Sequence, residues 1–130
     1  MARQLINSKR VTPYRNPLHH AAKIGNLVFL SGITPFKGAR EIAVGDFPAQ
    51  MRQAMTNVRN ILEDCGSSLG QVAKLNIYLR RESDFKQMND VYREFFPAED
   101  FPARTTVIAA SLSGEHFLVQ IDGIAEVSSN

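Results

Sequence analysis

The stretch that decides the fold spans residues 46–66 and reads DFPAQMRQAMTNVRNILEDCG. Apolar residues recur in it every three or four positions, which places them on one stripe of an α-helix. The stripe consists of Phe47, Met51, Ala54, Met55, Val58, Ile61, Leu62 and Cys65. Asp46 suits the N-cap, Pro48 the first turn and Gly66 the position after the last turn. The sequence therefore predicts an amphipathic helix that buries one face.

A second helical stripe lies closer to the C-terminus. It opens at Ser83 and Asp84 and stops at Pro97, which lacks the N–H that a continuing helix needs. Its apolar positions are Phe85, Met88, Val91, Tyr92, Phe95 and Phe96. This segment is predicted to be the second helix of the chain.

The other ordered segments alternate or are rich in β-branched residues, which is typical of strands. The predicted strands are residues 4–7, 21–24, 27–30, 73–80, 105–110 and 117–127. Gly25 and Asn26 form a hairpin turn between the second and third strands. Gly123 permits a bulge or a close approach in the last strand. The predicted order is βββαβαββ.

This order predicts a two-layer α+β fold in which both helices cover one face of a six-stranded sheet. No repeat, low-complexity tract or linker interrupts the chain, so residues 1–130 are expected to form one domain. The opposite face of the sheet would expose Leu118, Ile124, Tyr78 and half of residues 27–30. Such a contiguous apolar surface predicts a homo-oligomer with sites at the subunit junctions.

Composition narrows the class of protein. The chain has 15 Lys and Arg against 13 Asp and Glu, and its single cysteine, Cys65, excludes an internal disulfide framework and a Cys-based zinc site. It has no apolar run of eighteen residues, and its start lacks the apolar core of a signal peptide, so a soluble cytoplasmic protein is expected.

Residues 1–40 carry seven basic side chains and no acidic one. This asymmetry fits either complementary segments of one sheet or a small-anion site. The scattered basic residues and the lack of Trp argue against a nucleic-acid surface.

Few single residues point to chemistry. His19 and His20 are adjacent and face opposite ways in a strand, and His116 is remote, so no metal site is predicted. Arg104 is the last Arg or Lys of the chain and stands at the mouth of a predicted strand. Its planar two-pronged guanidinium matches a carboxylate. The alternative is a structural ion pair with Asp100 or Glu99.

Several motifs occur together in one order along residues 16–127. They are Asn26-Leu-Val-Phe-Leu-Ser-Gly-Ile-Thr-Pro35, the helix with Gln53, Asn57 and Ile61-Leu-Glu63, Gly66-Ser-Ser-Leu69, Phe85 through Asn89 to Tyr92-Arg-Glu-Phe-Phe96, Phe101-Pro-Ala-Arg-Thr-Thr-Val107 and Ile121-Asp-Gly-Ile-Ala125. In this combination the chain resembles the RidA/YjgF (reactive intermediate deaminase) family.

The resemblance implies a chorismate-mutase-like fold, a homotrimer with three clefts between subunits, and no metal or organic cofactor. The implied reaction is the hydrolysis of 2-aminoacrylate-type enamines, or their imine tautomers, to a 2-keto acid and ammonia. By position, Arg104 corresponds to the arginine that clamps the substrate carboxylate. The backbone of Thr106 would reach the imine nitrogen or a water. Ser31, Gly32 and Asn89 would line or support the cleft.

Two positions depart from the family pattern. Leu18 replaces a tyrosine, and Gln120 replaces the glutamate that is thought to handle the hydrolytic water. An amide can orient water but cannot accept its proton. Asp122 lies two residues on, on the same strand face, and is a candidate substitute base. The alternative is that Asp122 pairs with a basic residue across the sheet.

These departures leave three functions open. The first is a deaminase in which Leu18 admits a bulkier or more hydrophobic enamine. The second is a 2-aminomuconate-type deaminase of aromatic degradation. The third is a non-catalytic protein that binds a carboxylate metabolite through Arg104. RNA cleavage finds little support, since His19 and His20 face opposite ways in a strand and the sequence shows no basic groove.

Overall fold

The computed structural model describes residues 2–128, and within them the elements follow the predicted order. The strands are β1 (Gln4–Ile6), β2 (Ala21–Ile24), β3 (Leu27–Ile33), β4 (Val72–Leu79), β5 (Ala103–Ile108) and β6 (Val119–Glu126). The helices are α1 (Phe47–Asp64) and α2 (Phe85–Phe95), and single 3₁₀ turns span Leu69–Gln71 and Glu82–Asp84. In this part of the chain no helix is both long and apolar enough to cross a membrane.

The strands form one sheet in the order β1-β2-β3-β6-β4-β5. All neighbours pair antiparallel except β4 and β5, which run parallel. A parallel pair needs a crossover connection, and α2 provides it here. The C-terminal strand β6 therefore lies at the centre of the sheet, and β5 forms an edge. The predicted mixed sheet with two helices is confirmed.

Helix α1 covers the middle of the sheet and packs on β3, β6 and α2. The carboxylate of Asp46 accepts a hydrogen bond from the backbone N–H of Ala49 at 3.1 Å, so the predicted N-cap is confirmed. Gly66 has a φ of +82°, the left-handed conformation that suits the end of a helix. Every apolar residue of the predicted stripe is buried.

The loop before β6 differs from the sequence prediction. Strand β6 begins at Val119 rather than Phe117, and Leu118 is buried instead of lying on the open face. The cause is the buried side chain of Gln50, whose Oε1 accepts a hydrogen bond from the Leu118 N–H at 2.8 Å. Its Nε2 donates to the carbonyl oxygens of Ala43 and His116. These three bonds draw residues 116–118 toward α1 and out of the strand pattern.

The remaining corrections concern the ends of strands and the start of α2. Strand β3 continues to Ile33, three residues beyond its predicted end, and β5 lies two residues nearer the N-terminus than predicted. Ser83 and Asp84 form a 3₁₀ turn, and the Asp84 side chain binds Arg81 instead of capping α2.

The face of the sheet opposite the helices carries the expected apolar surface. Leu27 and Phe29 are each 39% exposed there, and Ile124 and Tyr78 are half-buried. The exposed side chains of Leu5, Ile24 and Val107 add to it, which the sequence prediction did not include. We call this surface the open face. Its extent supports the prediction of an oligomer, which stays a prediction.

Gly123 is predicted to be a position that no side chain can occupy. A Cβ there would collide with the Lys74 carbonyl oxygen of β4 and would lie 2.7 Å from Leu75 Cδ2. We expect Gly123→Ala to lower the free energy of unfolding by about 1–3 kcal/mol, the usual cost of overpacking, in urea titrations. Gly70→Ala is the matched control, because its Cβ would meet nothing closer than the Ser68 hydroxyl at 3.8 Å. Equal urea midpoints for Gly123→Ala and wild type would contradict this reading.

Candidate functional site

Arg104 lies on the edge strand β5, on the side of the sheet that the helices cover. It is opposite Leu75, a fully buried core residue, and residues that pair directly across a sheet share a face. Its guanidinium lies 4.8 Å from the ring centroid of Tyr92 on α2, a cation–π contact that orients the fork. Among residues 2–128 Arg104 forms no ion pair, so the alternative pairing with Asp100 or Glu99 is not seen.

A cavity of about 380 Å³ opens beside this guanidinium. We call it the Arg104 cavity; its lining residues are Asn89, Tyr92, Arg93, Phe101, Pro102 and Arg104. The structure thus places Asn89 and Arg104 in the lining of one cavity. Two arginines and an amide beside aromatic walls form a site suited to a carboxylate.

Two buried hydroxyl groups belong to this region. Thr106 follows Arg104 on the same side of β5, and its Oγ1 is buried without a hydrogen-bond partner among the described residues. The same holds for the hydroxyl of Tyr92, whose burial raises its pKa. A buried polar group without a partner costs about 1–3 kcal/mol. The sequence placed Tyr92 on a core stripe and gave no signal that its hydroxyl would be left unpaired.

Gln120 lies in a second cavity, of about 370 Å³, together with Leu18 and Gly32. We call this the Gln120 cavity. The Gln120 Oε1 accepts hydrogen bonds from the backbone N–H and the hydroxyl of Ser113, at 2.9 and 3.2 Å. Its Nε2 therefore keeps its two N–H groups for the cavity, beside Gly32, where a Cβ would lie 3.1 Å from this nitrogen. The amide is oriented to donate.

Tyr14 supplies a hydroxyl to the same cavity, and the sequence analysis missed it. It donates to the Gly32 carbonyl oxygen at 2.9 Å and accepts from the Thr34 N–H at 3.1 Å. Burial raises the pKa of this phenol. Nothing in the residues around position 14 indicates this contact, which joins segments eighteen residues apart.

Ser31 has a supporting position instead. Its hydroxyl donates to the His19 carbonyl oxygen at 2.6 Å, and its N–H donates to the His20 carbonyl oxygen at 3.0 Å. These bonds hold the segment that carries Leu18 against β3. Ser31 itself does not line the Gln120 cavity.

Asp122 lies on the open face, two residues after Gln120 and on the same side of β6. Its Oδ1 accepts from Asn76 Nδ2 at 2.7 Å, and its Oδ2 accepts from the Tyr78 hydroxyl at 2.9 Å. The bond to Asp122 raises the pKa of Tyr78. Both of these partners are neutral, and among residues 2–128 Asp122 forms no ion pair with a basic residue.

The candidate residues therefore form two separate halves within one chain. Arg104 and Thr106 lie on the helix-covered side, whereas Gln120 and Asp122 lie on the open side, opposite Tyr78 and Asn76. One chain cannot present Arg104 to Gln120 in a shared cleft. The described residues also hold no group of three or more His, Cys, Asp and Glu side chains arranged for a metal ion.

A buried histidine anchors the segment that forms one wall of the Gln120 cavity. The His20 side chain is 1% exposed; its Nδ1 accepts from the Ser8 N–H at 3.0 Å, and its Nε2 lies 3.1 Å from the Thr12 carbonyl oxygen. This pattern requires the neutral ring with the proton on Nε2. Burial lowers the pKa of His20.

Comparison with known proteins agrees with this architecture. A family model described as endoribonuclease L-PSP matches residues 9–127. A 2-iminobutanoate/2-iminopropanoate deaminase of Dermatophagoides farinae is 37% identical over 112 residues, 85% of this chain and 86% of the relative. A 3-aminoacrylate deaminase RutC of Acinetobacter baylyi is 34% identical over 130 residues, 99% of this chain and 97% of the relative. The crystal structure of the YjgF gene product from E. coli superposes with a TM-score of 0.88 at 28% identity, covering 95% of this chain and 98% of that one.

We predict that His20 makes the protein less stable in acid. Its folded-state pKa is lowered from 6.5, so its contribution to stability is complete above that pH and is lost as the pH falls toward the folded value. Stability should fall by at most about 1.4 kcal/mol per pH unit from this residue. Urea unfolding between pH 7 and pH 5 should show a smaller loss for His20→Gln than for wild type. The exposed neighbour serves as control, and His19→Gln should keep the wild-type slope. A slope unchanged by His20→Gln would contradict the assignment.

Proposed function

The chain belongs to the RidA/YjgF (endoribonuclease L-PSP) family, and on that premise we propose that it hydrolyses 2-aminoacrylate-type enamines, or their imine tautomers, to a 2-keto acid and ammonia. Two relatives carry the names of imine and aminoacrylate deaminases. The observation that supports the proposal most directly is Arg104, which has no acidic partner among the described residues and lines a cavity with Asn89. An arginine in this setting is available to a substrate carboxylate.

The active site of the proposed enzyme forms between subunits of a homotrimer. Arg104 and Gln120 lie on opposite sides of one sheet, so a complete cleft needs the Arg104 cavity of one subunit beside the Gln120 cavity of its neighbour. The apolar open face supports such an assembly, because a subunit that covers Leu27 and Phe29 removes their exposed area from water.

The first requirement of the reaction is that the substrate is positioned. Arg104 binds the carboxylate through two parallel N–H donors, and the backbone of Thr106 reaches the imine nitrogen. The protonated C=N carbon is electrophilic, and water adds to it to form a C–O bond. The π electrons of the C=N bond pass to nitrogen, a base takes a proton from the added water, and a proton moves to the nitrogen. The C–N bond then breaks as the hydroxyl group gives up its proton, which leaves the 2-keto acid and ammonia. No metal or organic cofactor is required by this sequence of steps.

Gln120 and Asp122 divide the handling of water in this proposal. The free N–H groups of Gln120 donate to the oxygen of the attacking water and orient it, but an amide cannot take its proton. Asp122 is the candidate base: Asn76 and Tyr78 occupy one acceptor site on each of its oxygens and leave the others free.

Leu18 gives the cleft an apolar wall in place of a hydroxyl. Its side chain is 41% exposed and lines the Gln120 cavity. Contact with an apolar side chain favours a substrate with a longer hydrocarbon portion than 2-aminoacrylate. A 2-aminomuconate-type substrate is one member of that class.

Cleavage of RNA, which the name of the family model suggests, has less support in the site. General acid–base cleavage requires titratable side chains open to the substrate. His20 is buried with both ring nitrogens engaged, so it cannot pair with His19 on one surface. An RNase assay on wild type and on Arg104→Ala distinguishes intrinsic activity from contamination.

Replacement of Arg104 tests the enzyme directly. With 2-aminoacrylate generated in situ, we expect Arg104→Ala to lower kcat/KM by about 10²–10³-fold, since a charge-assisted carboxylate contact is lost. The kcat/KM of Arg104→Lys should lie between those of wild type and Arg104→Ala, because lysine keeps the charge and loses the two-pronged guanidinium. Arg59→Ala is the control, as Arg59 also stacks on an aromatic ring, Phe95, at 5.6 Å but lies outside both cavities. Equal rates of 2-aminoacrylate decay without protein, with wild type and with Arg104→Ala would overturn the proposal that the protein is an enzyme. Pyruvate binding that survives in calorimetry would then favour the carboxylate-binding protein.

Replacement of Asp122 by asparagine tests its role. We expect Asp122→Asn to lower kcat by about 10²-fold with little change in KM, because the lost function is proton transfer rather than binding. Tyr78→Phe is the matched control: it removes one bond to Asp122 and keeps the carboxylate, so its kcat should stay near wild type. Adding Gln120→Glu to Asp122→Asn should restore part of the rate, since a carboxylate returns to the water. An Asp122→Asn enzyme as fast as wild type would remove Asp122 from the mechanism.

A further inference from the structure

The Gln120 cavity carries a positive charge that the reaction described above does not use. Arg15 and Arg40 both line it, and none of its lining residues is acidic. Neither arginine forms an ion pair within residues 2–128. A concave site with uncompensated charge of one sign attracts ligands of the opposite sign.

From this arrangement we propose that the cavity binds a second carboxylate of the substrate, so that the preferred substrate is a dicarboxylic 2-imino acid or its enamine. The inference rests on the proposed function, because it takes the first carboxylate to be bound by Arg104 of the neighbouring subunit. Among the functions left open above, it favours substrates with two carboxylates, a class that includes 2-aminomuconate, over monocarboxylic enamines.

Arg40 is held in place for such a contact. Its Nη1 donates to the Pro13 carbonyl oxygen at 2.7 Å, and its guanidinium lies 4.7 Å from the ring centroid of Phe36. The remaining N–H groups stay free for a carboxylate. Because these contacts exist before any ligand arrives, little side-chain entropy is lost on binding.

The backbone at Arg40 is strained, which is unusual outside glycine. Its φ of +65° lies in the left-handed region, at a cost of about 1–3 kcal/mol. The loop is kept in this shape by the paired backbones of Lys37 and Glu41 and by the bond from the Thr12 hydroxyl to the Gly38 carbonyl oxygen. With the backbone in this shape, the Arg40 side chain contacts the Pro13 carbonyl oxygen and the ring of Phe36, which lines the cavity.

The neutral side chain at position 120 fits the same substrate class. A glutamate there would place a negative charge in the cavity that holds both arginines and would neutralise part of their field. The amide of Gln120 carries no charge and leaves that field intact, while its Oε1 accepts hydrogen bonds from Ser113. The replacement that weakens proton transfer therefore strengthens the attraction for an anion.

The rest of the cavity suits the chain that joins two carboxylates. Leu18, Phe36 and Phe117 provide apolar walls, and the two rings meet edge-to-face at 4.8 Å. At about 370 Å³ the cavity is in the range that holds ligands well above the size of a three-carbon imine. A substrate with an apolar middle and an anionic end uses both the walls and the arginines.

Binding of stable 2-keto acids tests the inference apart from catalysis. We use calorimetry on the intact protein with 2-oxoadipate and with 2-oxohexanoate, which have six carbons each and differ in the second carboxylate. Wild type should bind 2-oxoadipate at least about tenfold more tightly, the effect of one charge-assisted pair. Arg15→Gln and Arg40→Gln should each reduce this ratio toward one, whereas Arg104→Ala should weaken both ligands alike.

The controls separate the outcomes. Arg15 is exposed, so Arg15→Gln is expected to fold, and Arg40→Lys keeps the charge if Arg40→Gln does not fold. Arg59→Gln should keep the wild-type ratio. Equal binding of the two acids by wild type overturns the inference and leaves the deaminase intact. Preference for 2-oxoadipate without imine hydrolysis would uphold the second anion site while the proposed reaction fails. Tight binding of inorganic phosphate, lost in Arg15→Gln, without a 2-oxoadipate preference would also overturn it.

Discussion

The parallel pairing of β4 with β5 is the constraint on which the arrangement of the site depends. A parallel neighbour can be reached only by a crossover, and α2 supplies it on one side of the sheet. The pairing sets Arg104 opposite the buried Leu75, so its guanidinium meets Tyr92 of that same helix. The residues of β6 that face away from the helices belong to the other side. One register thus separates the half that we propose to bind the carboxylate from the half that we propose to handle water.

Preorganisation is a common feature of the two halves. The Arg104 fork stacks on a ring whose buried hydroxyl has no hydrogen-bond partner within residues 2–128, and the Gln120 amide is oriented by Ser113. The strained backbone of Arg40 serves the same purpose on the cavity wall. Each device fixes a donor before a ligand arrives, which lowers the entropy that binding would otherwise cost.

Residues 7–20 form neither helix nor strand, yet they supply part of the lining of the Gln120 cavity. Their position depends on tertiary hydrogen bonds, chiefly those of the buried His20 with Ser8 and Thr12 and that of Tyr14 with Gly32. These bonds hold Leu18 and Arg15 beside β3. His20 therefore anchors the same wall of the Gln120 cavity that we propose to contact the substrate.

The sequence by itself determined the elements whose information is local. The 3.6-residue period of α1, its cap at Asp46 and the alternation in β4 appear in the structure because burial of one face imposes those periods. The buried Leu118 escaped prediction because Gln50, far away in the chain, draws its loop inward. Which face Arg104 and Gln120 occupy, and that Arg15 and Arg40 line one cavity, were decided only by strand register and loop contacts. Such contacts join residues distant in sequence, and no periodicity within a short window encodes them.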